Sequence, residues 1–559
     1  PGSTRARARS STFIRHDQPR AIVQQSSEAR ENGSKFRRRG RFRPGSRRFV
    51  HGRLSRERFA RPRSLHRGAS RRVSMRFRLD AARAAREGEK LLTDGDGDAT
   101  QVPVCHARGD SNAMRVFFRE VVTAARGKLT SEERKSLPAV LFLQGGPGFE
   151  CAGPLEASGW LGEMVKEHRV FLMDQRGTGR SDSEIVHPTL NRDASGHPLS
   201  YPRHWTDKNT SPAKAWAVHL KNFRADSIVK DAELFRKTVL GEDVKWTLLG
   251  QSFGGFCITT YLSFAPEGVK EALLTGGLPP LIDEPASALN AYRKLFERVQ
   301  TQNRKYFERF PYDVDRLYAL YVQLQNEGPR ILPGGGLLTV PLVRALGFSN
   351  LGTAQGMERL HYIMQYVEIH YADEEIVGAH LPHKFLIEVE NSFRHFETNP
   401  LYAVLHEAIY CNGACAIGAA DQVWLERVGE DLYSAFGEPE SDDSLRRAFT
   451  GECVYSSFFE DIPSLRPFKA IVQELKKDKE WPKLYDTAQL AKNNTVPVAC
   501  ASYVEDMFVD FDLASETAAK IRGARVWSTS EYMHSGIRED GARIVQKLLS
   551  FVRDEDPIR

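Results

Sequence analysis

From Arg115 onward the chain alternates short apolar runs with stretches whose apolar residues recur every three or four positions. The runs RVFFREVV from Arg115, AVLFLQ at 139–144, RVFLMD at 169–174, WTLLGQ at 246–251, EALLTGG at 271–277, VPVACASY at 496–503 and ARVWSTS at 524–530 read as buried strands. Helical patterns fall between several of them, at 226–239, 256–264 and 540–552. Strands that alternate with helices predict an α/β chain, a mostly parallel sheet covered on both faces.

The alternation breaks over 281–490. SALNAYRKLFERVQTQ, DVDRLYALYVQLQN, TAQGMERLHYIMQYVEIHY and FKAIVQELKK all show helical spacing there. A segment of that length between two core strands is too long for a loop and predicts an inserted, mainly helical domain. Insertions in this architecture sit over the strand ends where catalytic groups gather, so the segment is expected to be a lid. The expected organisation is a basic leader at 1–78, a first core part at 100–280, the lid at 281–490 and a second core part at 491–559.

Charge separates the leader from the rest. Residues 1–78 hold 24 Lys and Arg against four acids, which leaves 55 basic and 68 acidic residues beyond them, so the folded part is acidic although the whole chain is +7. The leader is rich in Arg and Ser and poor in aliphatic residues, a composition that does not offset the ordering entropy of a core and predicts disorder. It resembles a mitochondrial or plastid transit peptide; the alternative is that the protein starts at Met75. That places the protein in the cytoplasm or, with a genuine leader, in an organelle. Clustered arginines alone are a weak nucleic-acid signal, with no aromatic platform beside them, and no nucleic-acid partner is expected. No apolar window reaches membrane-spanning length, so no membrane partner is expected either. Seven scattered cysteines, an odd number, argue for free thiols, and Cys411 and Cys415 lack the further ligands of a zinc site.

Against this background one short segment carries chemistry. Gly250-Gln251-Ser252-Phe253-Gly254 is a G-x-S-x-G sequence between a predicted strand and a predicted helix, the context in which that motif is a nucleophile elbow. A serine hydroxyl needs a base, and the base an orienting acid. Asp506 follows the strand VPVACASY and His534 follows ARVWSTS, in the elbow fold's order of Ser, acid, His; Glu505 is the rival acid, and Asp506 is preferred. An oxyanion needs backbone donors. Phe253 N–H supplies one and Gly146, in the loop Gln144-Gly145-Gly146-Pro147-Gly148, the other. Covalent acyl transfer calls for no cofactor and no metal.

FLQGGPG (142–148), DQRGTGRSD (174–182), GQSFGG (250–255) and the EDMFVD and EYMHSG segments together resemble the proline iminopeptidases, serine aminopeptidases of the α/β-hydrolase fold, over about 105–552. The longer members of that family carry a large helical lid. The resemblance implies release of N-terminal proline from peptide substrates, the same roles for Ser252, Asp506, His534, Phe253 and Gly146, and a structural, bracing role for Asp174-Gln175-Arg176-Gly177. It also implies that lid carboxylates read the substrate amine, with Glu407 in LYAVLHEAIYCNG the first candidate and Glu452 in FTGECVYSSFFE the second. Ser456-Ser457 departs from the aromatic residue often found in that second segment. Fold and triad alone fit an esterase or lipase equally; a non-catalytic binding module is disfavoured because no triad residue is missing.

Overall fold

The computed structural model describes residues 91–555 except 94–97, 105, 107–112, 125, 192, 194–196, 198, 282–287, 430–431 and 433–448. The predicted leader at 1–78 lies outside the described residues.

All seven predicted strands enter one nine-stranded sheet. In chain order its strands are β1 (Leu91–Thr93), β2 (Asp98–Pro103), β3 (Ala113–Thr123), β4 (Ala139–Leu143), β5 (Arg169–Asp174), β6 (Trp246–Gln251) and β7 (Val269–Thr275). Two small hairpins follow outside the sheet, β8 (Arg330–Ile331) with β9 (Leu337–Leu338) and β10 (Glu368–Ala372) with β11 (Glu375–His380). The sheet is completed by β12 (Val498–Tyr503) and β13 (Ala524–Thr529). The order is β1-β3-β5-β4-β6-β7-β12-β13, with β2 on β3. The six strands from β5 to β13 are parallel, and β3 joins β5 antiparallel.

Period-two alternation explains why these strands read as nearly unbroken apolar runs: both faces of the sheet are covered. Val140 and Phe142 of β4 enter the core under the helices Gly159–Met164 and Gly541–Val552, whereas Leu141 and Leu143 enter the core under Ala225–Phe235 and Phe253–Phe264. Each such fully buried leucine or phenylalanine stabilises the fold by about 1.5–3 kcal/mol.

Between β7 and β12 the chain leaves the sheet for a set of helices that includes Ala288–Arg309, Asp313–Glu327, His383–Ser392, Ala419–Val428 and Lys469–Lys477. One predicted helix is shorter than its pattern: VEIHY does not continue the helix Gly356–Met364 but forms strand β10. The reason is local. Asp373 and Glu374 both take positive φ, 48° and 72°, which closes a two-residue hairpin turn against β11.

Polar contacts tie these helices to the sheet domain. Lys221 Nζ meets Asp478 at 2.8 Å, Arg298 meets Asp510 at 3.0 Å, and Asn399 Nδ2 donates to the Gly148 carbonyl at 2.9 Å. Arg224, fully buried at the start of Ala225–Phe235, donates to the carbonyl of Cys411. Among the described residues no helix is long and apolar enough to cross a membrane.

Candidate active site

Ser252 sits between the last residue of β6 and the first turn of Phe253–Phe264, with φ 56° and ψ −125°. A non-glycine residue held at such a φ stores on the order of 1–3 kcal/mol, which surrounding contacts must offset. Two contacts do so: Ser252 N–H donates to the Thr275 carbonyl at 3.1 Å, and Gly255 N–H donates to the Ser252 carbonyl at 2.7 Å. The flanking glycines are sterically required. A Cβ on Gly254 would stand 1.9 Å from the Leu143 carbonyl oxygen, and one on Gly250 would stand 2.5 Å from the backbone of Gly254. The strand therefore passes directly into the helix, and the serine is presented at the turn.

Asp506 and His534 come from the loops after β12 and β13. His534 Nδ1 lies 2.8 Å from Asp506 Oδ2, while Asp506 Oδ1 accepts from the N–H groups of Phe508 at 2.7 Å and Val509 at 3.0 Å. With both oxygens occupied the carboxylate is fixed in rotation and holds the imidazole with Nδ1 protonated, so that Nε2 carries the lone pair. The Gln251 side-chain amide lies 3.3 Å from that Nε2. Phe508 stacks on the imidazole with centroids 4.6 Å apart. Glu505 turns away to Lys305 Nζ at 2.6 Å and Gln302 at 3.2 Å. Burial lowers the basicity of His534, but the charge and hydrogen bond of Asp506 and the nearby Glu452 outweigh it, leaving the imidazole above its ordinary pKa.

The loop Gln144–Gly148 runs past the serine. Gly146 has φ 130° and a cis bond to Pro147, and Gln175 Nε2 donates to the Gln144 carbonyl at 2.8 Å. Arg176, behind this loop, is fully buried and places Nε 2.7 Å from Asp231, with further donations to the carbonyls of Val104 at 2.9 Å and Asn222 at 2.8 Å. Asp174 accepts from the N–H groups of Cys151 at 3.1 Å and Arg180 at 2.9 Å. All these bonds are intramolecular and none reaches the serine or the imidazole, which fits a bracing role.

Over the serine lies a cavity of about 280 Å³, with Gly145, Gly146, Ser252, His534, Glu452 and Arg538 in its wall and Phe149, Phe348, Tyr402, His395 and Phe508 as aromatic lining. Glu452 accepts a hydrogen bond from the Tyr402 hydroxyl, and His406 Nε2 stands 3.9 Å away. Burial raises the Glu452 carboxyl to about 7, against the lowering effects of His534 and the Tyr402 bond. His406 is driven by burial down to about 3 and so stays neutral beside it. No lysine or arginine pairs with Glu452 among the described residues. Once ionised, the carboxylate is a negative charge in the cavity with no lysine or arginine partner among the described residues.

Glu407, expected first among the amine-reading residues, is a correction. It does not line the cavity. Its carboxylate accepts from the N–H groups of Gly418, of Ala419 at 2.9 Å and of Ala420 at 3.0 Å, at the start of the helix Ala419–Val428. Unsatisfied N–H groups at a helix start attract an anion, and this glutamate fills that place from a neighbouring segment. Ser456, in the segment that departs from the expected pattern, bonds Asp421 and Lys476 Nζ, the latter at 2.7 Å, rather than facing the cavity. Tyr402, His395, Phe348 and Arg538 were not foreseen as site residues. Tyr402 lies five residues before Glu407, and only the sequence context of that segment could have drawn attention to it.

Ser252, His534, Gly146 and Glu452 thus share the wall of one small cavity, with Asp506 behind the imidazole, an arrangement suited to acyl transfer from a substrate bearing a cation. Residues 138–319 match the family described as alpha/beta hydrolase fold. Over 453 residues the chain is 38% identical to a protein named proline iminopeptidase from Aeromonas sobria, covering 81% of this chain and 95% of that one. It is also 30% identical over 459 residues to a protein named proline iminopeptidase from Aspergillus aculeatus, covering 81% and 92% of the two chains. The chain belongs to the proline iminopeptidase family of α/β hydrolases.

Proposed function

We propose that the protein is a serine aminopeptidase that releases N-terminal proline from peptides. Ser252 Oγ attacks the prolyl carbonyl while His534 Nε2 takes its proton, and Asp506 holds the imidazole and stabilises its charged form. The Gln251 amide near Nε2 must yield that position to the serine hydroxyl. The N–H groups of Phe253 and Gly146 receive the developing oxyanion. Collapse breaks the C–N bond as His534 returns the proton to the leaving amine, and water then releases proline from the Ser252 ester by the same route.

The observation that carries the substrate assignment is Glu452. A buried carboxylate without a cationic partner is costly, and the secondary ammonium of an N-terminal proline supplies the missing charge. Phe149, Phe348 and Tyr402 give the pyrrolidine ring an apolar wall. The helical segment 281–490 supplies Glu452, Tyr402 and Phe348, and acts as the lid of this site.

The decisive measurement compares hydrolysis of proline 4-nitroanilide, N-acetylproline 4-nitroanilide and a short-chain ester. The free-amine anilide should be the preferred substrate and its acetylated form nearly inert. A preference for the ester, or indifference to acetylation, would overturn the assignment.

A further inference from the structure

The cavity holds one formal charge that neither the triad nor amine recognition uses. Arg538 stands one helical turn beyond His534, in the short helix Gly536–Glu539, and shares the cavity wall with Ser252, Glu452 and Ser535. It is solvent-exposed there. Among the described residues its guanidinium makes no hydrogen bond and no ion pair, not even with its neighbours Glu539 and Asp540, and the latter is taken by Tyr532. Other arginines in the molecule are engaged: Arg176 with Asp231, Arg298 with Asp510, Arg543 with Glu531. A planar fork of donors left open inside a reaction cavity is matched by a carboxylate.

The placement of Glu452 and Arg538 narrows which carboxylate. The imidazole of His534 feels Glu452 and Arg538 with opposite sign, so the base lies within electrostatic reach of a negative group and a positive one. The substrate amine on Glu452 belongs to the acyl side of the scissile bond. Two residues of extended peptide span at most about 7 Å, a length that a cavity of about 280 Å³ accommodates.

Resting on the reading that the enzyme releases N-terminal proline, we propose that Arg538 receives a carboxylate carried by the residue that follows proline. That carboxylate is either the terminal one of a dipeptide or the side chain of an acidic second residue. The enzyme is then selective for short or acidic peptides whose charges complement Glu452 and Arg538 together.

The test uses the full chain and two substrate pairs, Pro-Gly against Pro-Gly-amide and Pro-Asp-amide against Pro-Asn-amide. The quantity read is the ratio of kcat/KM within a pair, compared between wild type and Arg538→Gln, so that intrinsic leaving-group differences and any general loss of activity cancel. The ratio should fall about tenfold or more in Arg538→Gln, through KM, and recover in part in Arg538→Lys, which keeps the charge but not the fork. A fall in the first pair alone assigns the terminal carboxylate; a fall in the second alone assigns the acidic side chain. Cleavage of all four peptides with ratios equal in wild type and variant overturns the role of Arg538. Failure of the wild type to cleave any of them overturns the aminopeptidase reading itself.

Discussion

The Tyr402 hydroxyl donates a hydrogen bond to Glu452, and both side chains line the cavity that contains Ser252. The tyrosine orients the carboxylate without neutralising it, which leaves the charge available to a substrate ammonium. Glu452→Gln keeps the shape and removes the charge. It should raise KM for proline 4-nitroanilide by about 100-fold or more, reflecting roughly 2–5 kcal/mol of lost pairing. Hydrolysis of an uncharged ester should fall far less. Equal losses on both substrates would show that Glu452 serves the triad and not the amine.

Acid should inactivate the enzyme at higher pH than an ordinary histidine would dictate. His534 acts as base only when neutral and its pKa is raised above 6.5, while Glu452 binds an ammonium only when ionised and titrates near 7. Lowering the pH therefore protonates both, and each change removes activity. The acid limb of kcat/KM should have its midpoint near or above 7 and a slope steeper than one proton. In Glu452→Gln one ionisation disappears and His534 loses a nearby anion, so the limb should become shallower and move to lower pH. A wild-type midpoint at or below 6.5 contradicts this account.

Ser252→Ala should abolish turnover by a factor that reaches about a millionfold, as expected for a nucleophile that acts as a unit with its base. Thermal unfolding monitored in parallel should show a Tm equal to or above that of the wild type, because alanine removes the reactive hydroxyl and leaves the elbow contacts intact. Retention of a tenth of the activity would exclude Ser252 as the nucleophile.

Glu407→Ala should behave differently from every substitution in the cavity. Three backbone N–H groups lose their acceptor, a cost of about 1–3 kcal/mol that appears as a lower Tm. Any loss of activity should be shared by proline anilide and ester, without a selective rise in KM for the former. A selective rise would return Glu407 to amine recognition.

The sheet and the elbow were legible in the sequence because both are locally encoded. β5 and β6 are bounded where their apolar runs are bounded, and the Ser252 turn needs glycines at fixed offsets whatever surrounds it. Glu407 was misplaced for the opposite reason. Its partners lie 11 to 13 residues further along, and the chain reverses through Gly413 and Gly418 to bring them back, a path that no periodicity in the segment discloses. The β10–β11 hairpin was hidden because its turn uses Asp373 and Glu374 where glycine or asparagine would have signalled it. Arg538 carries no sequence signal, since a lone arginine after the histidine has no pattern; only the absence of a partner among the described residues singles it out.

The order of strands in the sheet has a consequence in time. Ser252 and its side of the sheet are complete early in the chain, yet His534 reaches Gln251 across a sequence separation of 283, and Asp506 follows β12, the first sheet strand after the helical segment. Closing so long a loop is entropically unfavourable and slow, and occurs only after the residues in between have been made. A growing chain that already displays the nucleophile is therefore inert, and hydrolysis switches on only when β12 and β13 dock beside β7. The wiring of the fold thus ties hydrolysis to the docking of β12 and β13.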